Sequence, residues 1–216
     1  MRASDKINSL LKKKYPSPRI ALKFTDPLES LVATILSAQC TDARVNIVTQ
    51  TLFKKYRTIE DYAHANIKIF EQDIRSTGFY HNKAKNIIAA ANKILKDFGG
   101  KVPQDMEELI RLPGVARKTA NVVLYNAFGK NEGIAVDTHV IRVSQCLGLT
   151  KNSDPVKIER NLMELLDRKE WGPFSLRLIR HGRETCVAKK PKCLLCVLQN
   201  ACPSKKIFYG EGCEPY

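Results

Sequence analysis

Cys186, Cys193, Cys196 and Cys202 follow one another as C-x6-C-x2-C-x5-C, so any fold open to this chain must let one short loop turn four thiols toward a common centre. Clustering of this kind points to metal, because a disulfide framework spreads its cysteines across a small secreted chain. Structural zinc sites usually draw on two close pairs of ligands, and only Cys193 and Cys196 form such a pair. Ligation by cysteine alone suits a [4Fe–4S] cluster, and the spacing favours it, with zinc as the alternative. Lys189, Lys190 and Lys192 stand between the ligands, as candidate phosphate contacts or as an ordinary solvated charge run. Cys40, Cys146 and Cys213 lie outside the pattern, and the first two are expected to be buried as small apolar residues.

Elsewhere the apolar spacing is helical, with no two-residue alternation bounded by hairpin turns, and the chain is predicted to be all-α. Asp26-Pro27 starts a helix whose stripe is Leu28, Leu31, Val32, Ile35 and Leu36 and which is expected to end near Gln39. Ala84, Ile87, Ile88, Ala91, Leu95 and Phe98 form a second stripe, closed by Gly99-Gly100. Asp154-Pro155 opens another helix facing inward with Ile158, Leu162, Leu165 and Leu166, and Gly172-Pro173 a further one. The polar, Gly-containing stretch from Gly129 to Gly133 reads as a lobe boundary. The tail from Ser204 to Tyr216 has little periodicity and is expected to be loosely held.

Thirty-six Lys and Arg against 22 Asp and Glu leave a formal net charge of +14, spread along the chain. Such a surface attracts polyanions, nucleic acid first among them, although charge alone also serves solubility. No run of apolar residues is long enough for a membrane span. The N-terminus carries no apolar signal core, and the expected setting is a prokaryotic cytoplasm.

Pro113-Gly114 separates a short helix around Met106 to Arg111 from a longer one running from about Ala116 to Phe128, a helix-hairpin-helix. Backbone N–H groups at the start of the second helix, aided by its dipole, can hold a phosphate without reading a base. Along that helix Ala116, Ala120, Val123, Leu124 and Ala127 are expected to face the core. Lys118 falls on the other side, where partial burial would make its amine more nucleophilic. Asp137 precedes the stripe of Val140, Ile141 and Val143 to Leu147, as an N-cap, as a carboxylate that assists a proton transfer, or as both. His139 beside it is either a phosphate contact or a satisfied residue at the helix start.

Several of these residues stand in motifs that resemble the endonuclease III family of helix-hairpin-helix base-excision glycosylases. Leu36-Ser37-Ala38-Gln39-Cys40-Thr41-Asp42 is similar to the family's L-S-A-Q-x-T-D, and Gly78-Phe79-Tyr80 with Asn82-Lys83-Ala84 to its G-[LF]-Y-x-x-K-A. Residues 112–121 match L-P-G-V-G-R-K-T-A-N except at Ala116. Val136-Asp137-Thr138-His139, then His181-Gly182-Arg183 and the cysteine loop, complete the ordered series.

The resemblance implies a six-helix lobe, residues 21–130, packed against a second lobe of residues 1–20 and 131–216 that carries a [4Fe–4S] cluster, with the active cleft between them. It implies a monomer acting on double-stranded DNA with oxidised pyrimidines or abasic sites. Lys118 would attack C1′ of a flipped nucleotide and form a Schiff base, Asp137 would assist, and β-elimination would cut the strand. Gln39 would enter the space left by the flipped base and Phe79 would wedge into the stack, while Leu112, Gly114, Ala116, His139, Lys189 and Lys190 would contact DNA. Adenine- and thymine-mismatch glycosylases resemble the same scaffold but typically lack a lysine at the place of Lys118. A protein that only docks on DNA is the alternative from another class. Ala116 stands where many members have glycine, which would cost roughly 1 kcal/mol if the position needed a left-handed backbone; in a first helical turn it would instead favour the helix. Phe79 stands where some relatives use leucine, which bears on the range of lesions.

Overall fold

The computed structural model describes residues 2–205, and no strand occurs among them. Cys213 lies outside these residues, as does most of the tail expected to be loosely held. Eleven α-helices are present among the described residues: α1 (Ala3–Lys14), α2 (Pro27–Leu36), α3 (Asp42–Lys55), α4 (Ile59–Ala63), α5 (Ile67–Ile74), α6 (Tyr80–Phe98), α7 (Met106–Leu109), α8 (Arg117–Phe128), α9 (Thr138–Cys146), α10 (Pro155–Leu165) and α11 (Trp171–Glu184). The protein is all-α, as its apolar spacing predicts.

Side chains at the helix ends explain many of these boundaries. The carboxylates of Asp26, Asp105 and Asp154 accept from the N–H groups of Glu29, Glu108 and Lys157, and proline occupies the first position of α2 and α10. At the C-terminus of α6, Gly99 is left-handed at φ 59° and the Gly100 N–H returns to the Ile94 carbonyl. Two boundaries differ from expectation. α2 ends at Leu36 rather than near Gln39, which lies in a following turn. Gly172-Pro173 sits inside the first turn of α11, one residue after its start.

The chain divides into two compact units: Ile20–Glu132, and Met1–Arg19 joined with Gly133–Tyr216. In the continuous unit, α6 packs on α4 and α5, and α8 packs on α2. α2 is buried on most sides rather than along one stripe, since Ser30, Ala33 and Thr34 are buried with its leucines and isoleucine; the Thr34 hydroxyl settles its own polarity by donating to the Ser30 carbonyl at 2.7 Å. Tyr56, Tyr62 and Phe70 form an aromatic cluster with centroid separations of 5.1 to 5.9 Å. The Tyr62 hydroxyl is buried with no hydrogen-bond partner among the described residues.

The other unit packs Ile7, Leu11 and Tyr15 of the N-terminal segment with Val140 and Val143 of α9, Ile158 and Leu162 of α10, and Phe174 and Leu178 of α11. One buried charge is compensated there. The Arg177 guanidinium, 3% exposed, donates from Nη1 to Glu170 Oε2 at 2.7 Å and to Asn8 Oδ1 at 3.2 Å, and Lys12 reaches the other Glu170 oxygen at 3.1 Å.

Candidate active site and cysteine pocket

The hairpin belongs to the continuous unit. After α7 the Leu112 N–H donates to the Leu109 carbonyl and the Val115 N–H to that of Leu112, which turns the chain into α8. Gly114 carries the turn at φ 77°, and a Cβ there would lie 2.8 Å from Asn86 Cβ, so this position admits glycine alone. Ala116 is the N-cap of α8 with φ −86° and ψ 166°, an ordinary extended backbone, and its side chain makes no cap hydrogen bond. The strain considered for an alanine here is therefore absent. Nor is Ala116 a core residue or a member of the first helical turn: it is exposed, while Ala120, Val123 and Leu124 form the buried face. First-turn N–H groups have no partner inside their helix, and no Ser or Asp at the N-cap competes for those of α8. Anion binding at this end is thus chemically available.

Lys118 is the second residue of α8 and is exposed, not partly buried as expected. Leu112 is packed inside at 2% exposure, so only its backbone is open to DNA, whereas Gly114 is exposed. Gln39 and Phe79 are both exposed, and both are left-handed at φ 52° and φ 49°. A left-handed backbone is uncommon away from glycine and concentrates at functional sites. Phe79, 61% exposed, is also the N-cap of α6 and shows none of the burial of a core aromatic. Between these two turns lies Lys83, 5% exposed, whose Nζ donates to the Leu36 and Thr77 carbonyls at 2.8 Å each. Burial holds its amine below the usual lysine range.

In the other unit Asp137 is half-buried and caps α9, its Oδ1 accepting from the Val140 N–H at 2.8 Å. The cap engages one oxygen, so the carboxylate retains a second for other chemistry. His139 is half-buried against Gly182, where an added Cβ would come within 3.0 Å of His139 Cβ and Nδ1. Arg142 Nη2 donates to the Gly182 and Cys186 carbonyls at 2.9 and 2.7 Å, tying α9 to the start of the cysteine loop.

Cys186, Cys193, Cys196 and Cys202 line one pocket together with Cys146, His181, Lys192 and Lys205. Burial pushes the Cys186 thiol up to about 12, and it raises those of Cys193, Cys196 and Cys202 as well, with neighbouring cysteines reinforcing the shift. His181 is buried, with Nε2 3.5 Å from Cys196 Sγ and Nδ1 3.5 Å from the Tyr15 hydroxyl. Burial lowers its imidazole to about 4, so it is neutral. Among the described residues, no three His, Cys, Asp or Glu side chains gather closely enough to share a single ion. Cys146 is half-buried beside the four, rather than a buried apolar filler, and Cys40 is half-buried against the core of the continuous unit. Lys189 and Lys190 are exposed on the loop. His181 and Lys83 were not singled out from the sequence as site residues, yet each falls at helical spacing from buried apolar residues, Phe174 and Leu178 in one case and Ile87 and Ile94 in the other.

A helical hairpin with an uncapped second helix and a thiol-lined pocket defines a helix-hairpin-helix protein of the DNA-directed class. A profile of the HhH-GPD superfamily base excision DNA repair protein matches residues 32–168. The chain is 55% identical to endonuclease III of Synechocystis sp. over 90% of this chain and 89% of that protein. It is 47% identical to endonuclease III of Bacillus subtilis over 92% and 89%. A solved structure of a trapped endonuclease III–DNA covalent intermediate superposes with a TM-score of 0.90 at 43% identity, covering 96% of this chain and 99% of that one. The chain belongs to the endonuclease III family, and is a base-excision DNA glycosylase with abasic-site lyase activity. No helix among the described residues is long and apolar enough to cross a membrane.

Proposed function

We propose that the chain acts as a monomer in a prokaryotic cytoplasm, removing oxidised pyrimidines from double-stranded DNA and cutting the abasic strand, with Lys118 as nucleophile. The observation that carries this reading is the start of α8, where an exposed amine stands in the first turn of an uncapped helix, immediately after a turn that only glycine can make. Phosphate held by that helix end brings a sugar to the amine. The relative trapped as a covalent DNA intermediate supports the chemistry.

The Lys118 Nζ lone pair forms a bond to C1′ and the C1′–N bond to the base breaks, the departing base being protonated. Ring opening gives an imine between Nζ and C1′. Loss of a C2′ proton sends its electrons toward the imine, the C3′–O bond breaks, and the 3′ phosphate leaves. Asp137 assists by taking the ammonium proton and by stabilising positive charge that develops on the sugar. Because Lys118 is exposed in the free protein, exclusion of water from the amine falls to the bound DNA. Gln39 fills the space left by the everted nucleotide and Phe79 enters the stack. The exposed hairpin glycine, the Leu112 and Ala116 backbone, His139, Lys189 and Lys190 meet the phosphates.

The four thiols fit a [4Fe–4S] cluster. They surround one pocket yet are spread too widely for one ion, which suits a cube whose corners each take one thiolate. When bound, the cluster would tie Cys186, Cys193, Cys196 and Cys202 together and hold the lysine-bearing loop rigid, and its uptake would release thiol protons.

Borohydride reduction in the presence of abasic duplex is expected to join protein to DNA, and Lys118→Ala to abolish the adduct while salt-sensitive DNA binding survives. An alanine variant that still traps and cuts refutes the assignment, and a wild-type chain that binds but never traps leaves a docking protein. For the cluster, a brown protein with broad visible absorption and four irons per chain is expected; a colourless protein with one zinc refutes it.

A further inference from the structure

Gln39 and Phe79 lie forty residues apart in sequence, on separate turns, and each is held in a left-handed backbone. Gln39 sits in the turn after α2, closed by the Cys40 N–H donating to the Ser37 carbonyl, with Thr41 capping α3 directly after it. Phe79 follows a 3-10 turn at Arg75–Thr77 and caps α6. A single side chain touches both turns. The buried Lys83 ammonium donates to the carbonyl of Leu36, three residues before Gln39, and to that of Thr77, two residues before Phe79. Its own N–H donates to the Phe79 carbonyl at 3.1 Å.

We propose that Lys83 is a positioning residue which clamps the Gln39 and Phe79 turns in fixed register, so that the two side chains enter duplex DNA as one preset wedge. The inference rests on the wedge reading of Gln39 and Phe79 given above. A buried cation with no carboxylate printed against it is an expensive way to join two loops, and burial lowers its amine. The carbonyls it satisfies are the last ones of a helix and of a 3-10 turn, where the backbone lacks helical partners. An apolar side chain would leave both carbonyls buried without that donor and would let the turns move independently. The clamp thus converts two strained turns into a single element, which is the pre-organisation that separating stacked bases demands.

Eversion from a duplex needs the wedge, whereas an abasic site in single-stranded DNA is already open. We therefore compare thymine glycol excision from duplex with borohydride trapping on a single-stranded abasic oligonucleotide. Lys83→Met is expected to slow duplex excision at least about tenfold and to change single-strand trapping less than about twofold. Lys83→Gln, which keeps one donor on a shorter stem and no buried charge, is the second variant should the first not fold, and is expected to lose less, again in the duplex arm alone. In a Phe79→Ala background, Lys83→Gln should add little further loss. Equal falls in both arms, as a merely unfolded fraction would produce, overturn the proposal, as do additive losses in the double variant. If Phe79→Ala itself leaves duplex excision unchanged, the wedge reading fails and takes this inference with it. A full loss with Phe79→Ala beside an unaffected Lys83 variant refutes the clamp alone.

Discussion

Substituting Gly114 by alanine places a methyl group in the tightest point of the hairpin. Two costs add. The backbone there is left-handed at φ 77°, which for a residue with a Cβ costs about 1–2 kcal/mol. The new Cβ would sit 2.8 Å from Asn86 Cβ and 3.1 Å from Asn86 Cγ, atoms near the α6 backbone that cannot swing aside, and overpacking of this sort costs about 1–3 kcal/mol. Together they destabilise the protein by roughly 2–5 kcal/mol, a fall in Tm on the order of 10 °C for a chain of this size. The neighbouring Ala116→Gly is the internal control. At an extended, exposed N-cap, exchanging alanine for glycine is expected to move stability by less than about 1 kcal/mol, in the stabilising direction. Thermal melts followed by helical ellipticity, with binding to undamaged duplex at low salt, read both variants. A Gly114→Ala protein melting within about 2 °C of wild type, or an Ala116→Gly protein losing as much as it does, refutes the account of the turn.

Asp137→Asn keeps the α9 cap, because asparagine caps as well as aspartate, and is expected to leave the melt nearly unchanged while slowing base excision far more than DNA binding; Asp137→Ala should add a loss of about 1 kcal/mol of stability. Burial works to raise the Glu170 carboxyl, but hydrogen bonds from Arg177 and Lys12 outweigh it and hold the group below the usual range. Its contribution is therefore present above about pH 4.5 and is lost as pH falls through the depressed value. Glu170→Gln leaves the Arg177 charge buried without its anion, a loss of about 3 kcal/mol at neutral pH, and the gap to wild type in urea melts should narrow below about pH 4.5. Tyr62→Phe removes a buried hydroxyl with no partner and should raise stability by about 1 kcal/mol, measured as a higher urea midpoint.

Features whose cause is local were legible in the sequence. Asp26-Pro27, Asp154-Pro155 and Gly99-Gly100 announce helix ends because a cap acts within a few residues of itself. The cysteine spacing marks its pocket because one loop supplies every ligand. What escaped depends on distant contacts. The left-handed backbones of Gln39 and Phe79 are imposed on side chains that disfavour them, and nothing in either tripeptide requires it. Lys83 shares the buried side of α6 with Ile87 and Ile94, but a lysine on an apolar stripe reads as exposed unless its carbonyl partners are known. The core face of α8 was placed to include Ala116 because the helix was taken to begin there; the observed start at Arg117 makes Ala116 an exposed cap. The exposure of Lys118 lies beyond sequence reasoning altogether, since periodicity assigns a side of the helix and not what covers it.

The division of the chain carries a consequence for its synthesis. Ile20–Glu132 is continuous, so all its core residues have left the ribosome before the remaining third is made, and it can condense early. α1 emerges first, yet Tyr15 and Asn8 find His181 and Arg177 only near the end of translation. The amino-terminal helix must wait with Ile7 and Leu11 uncovered, and closing that long loop is a slow, non-local step. Nascent chains stalled before α11 should expose this segment to protease or chaperone, and its protection marks completion of the second unit.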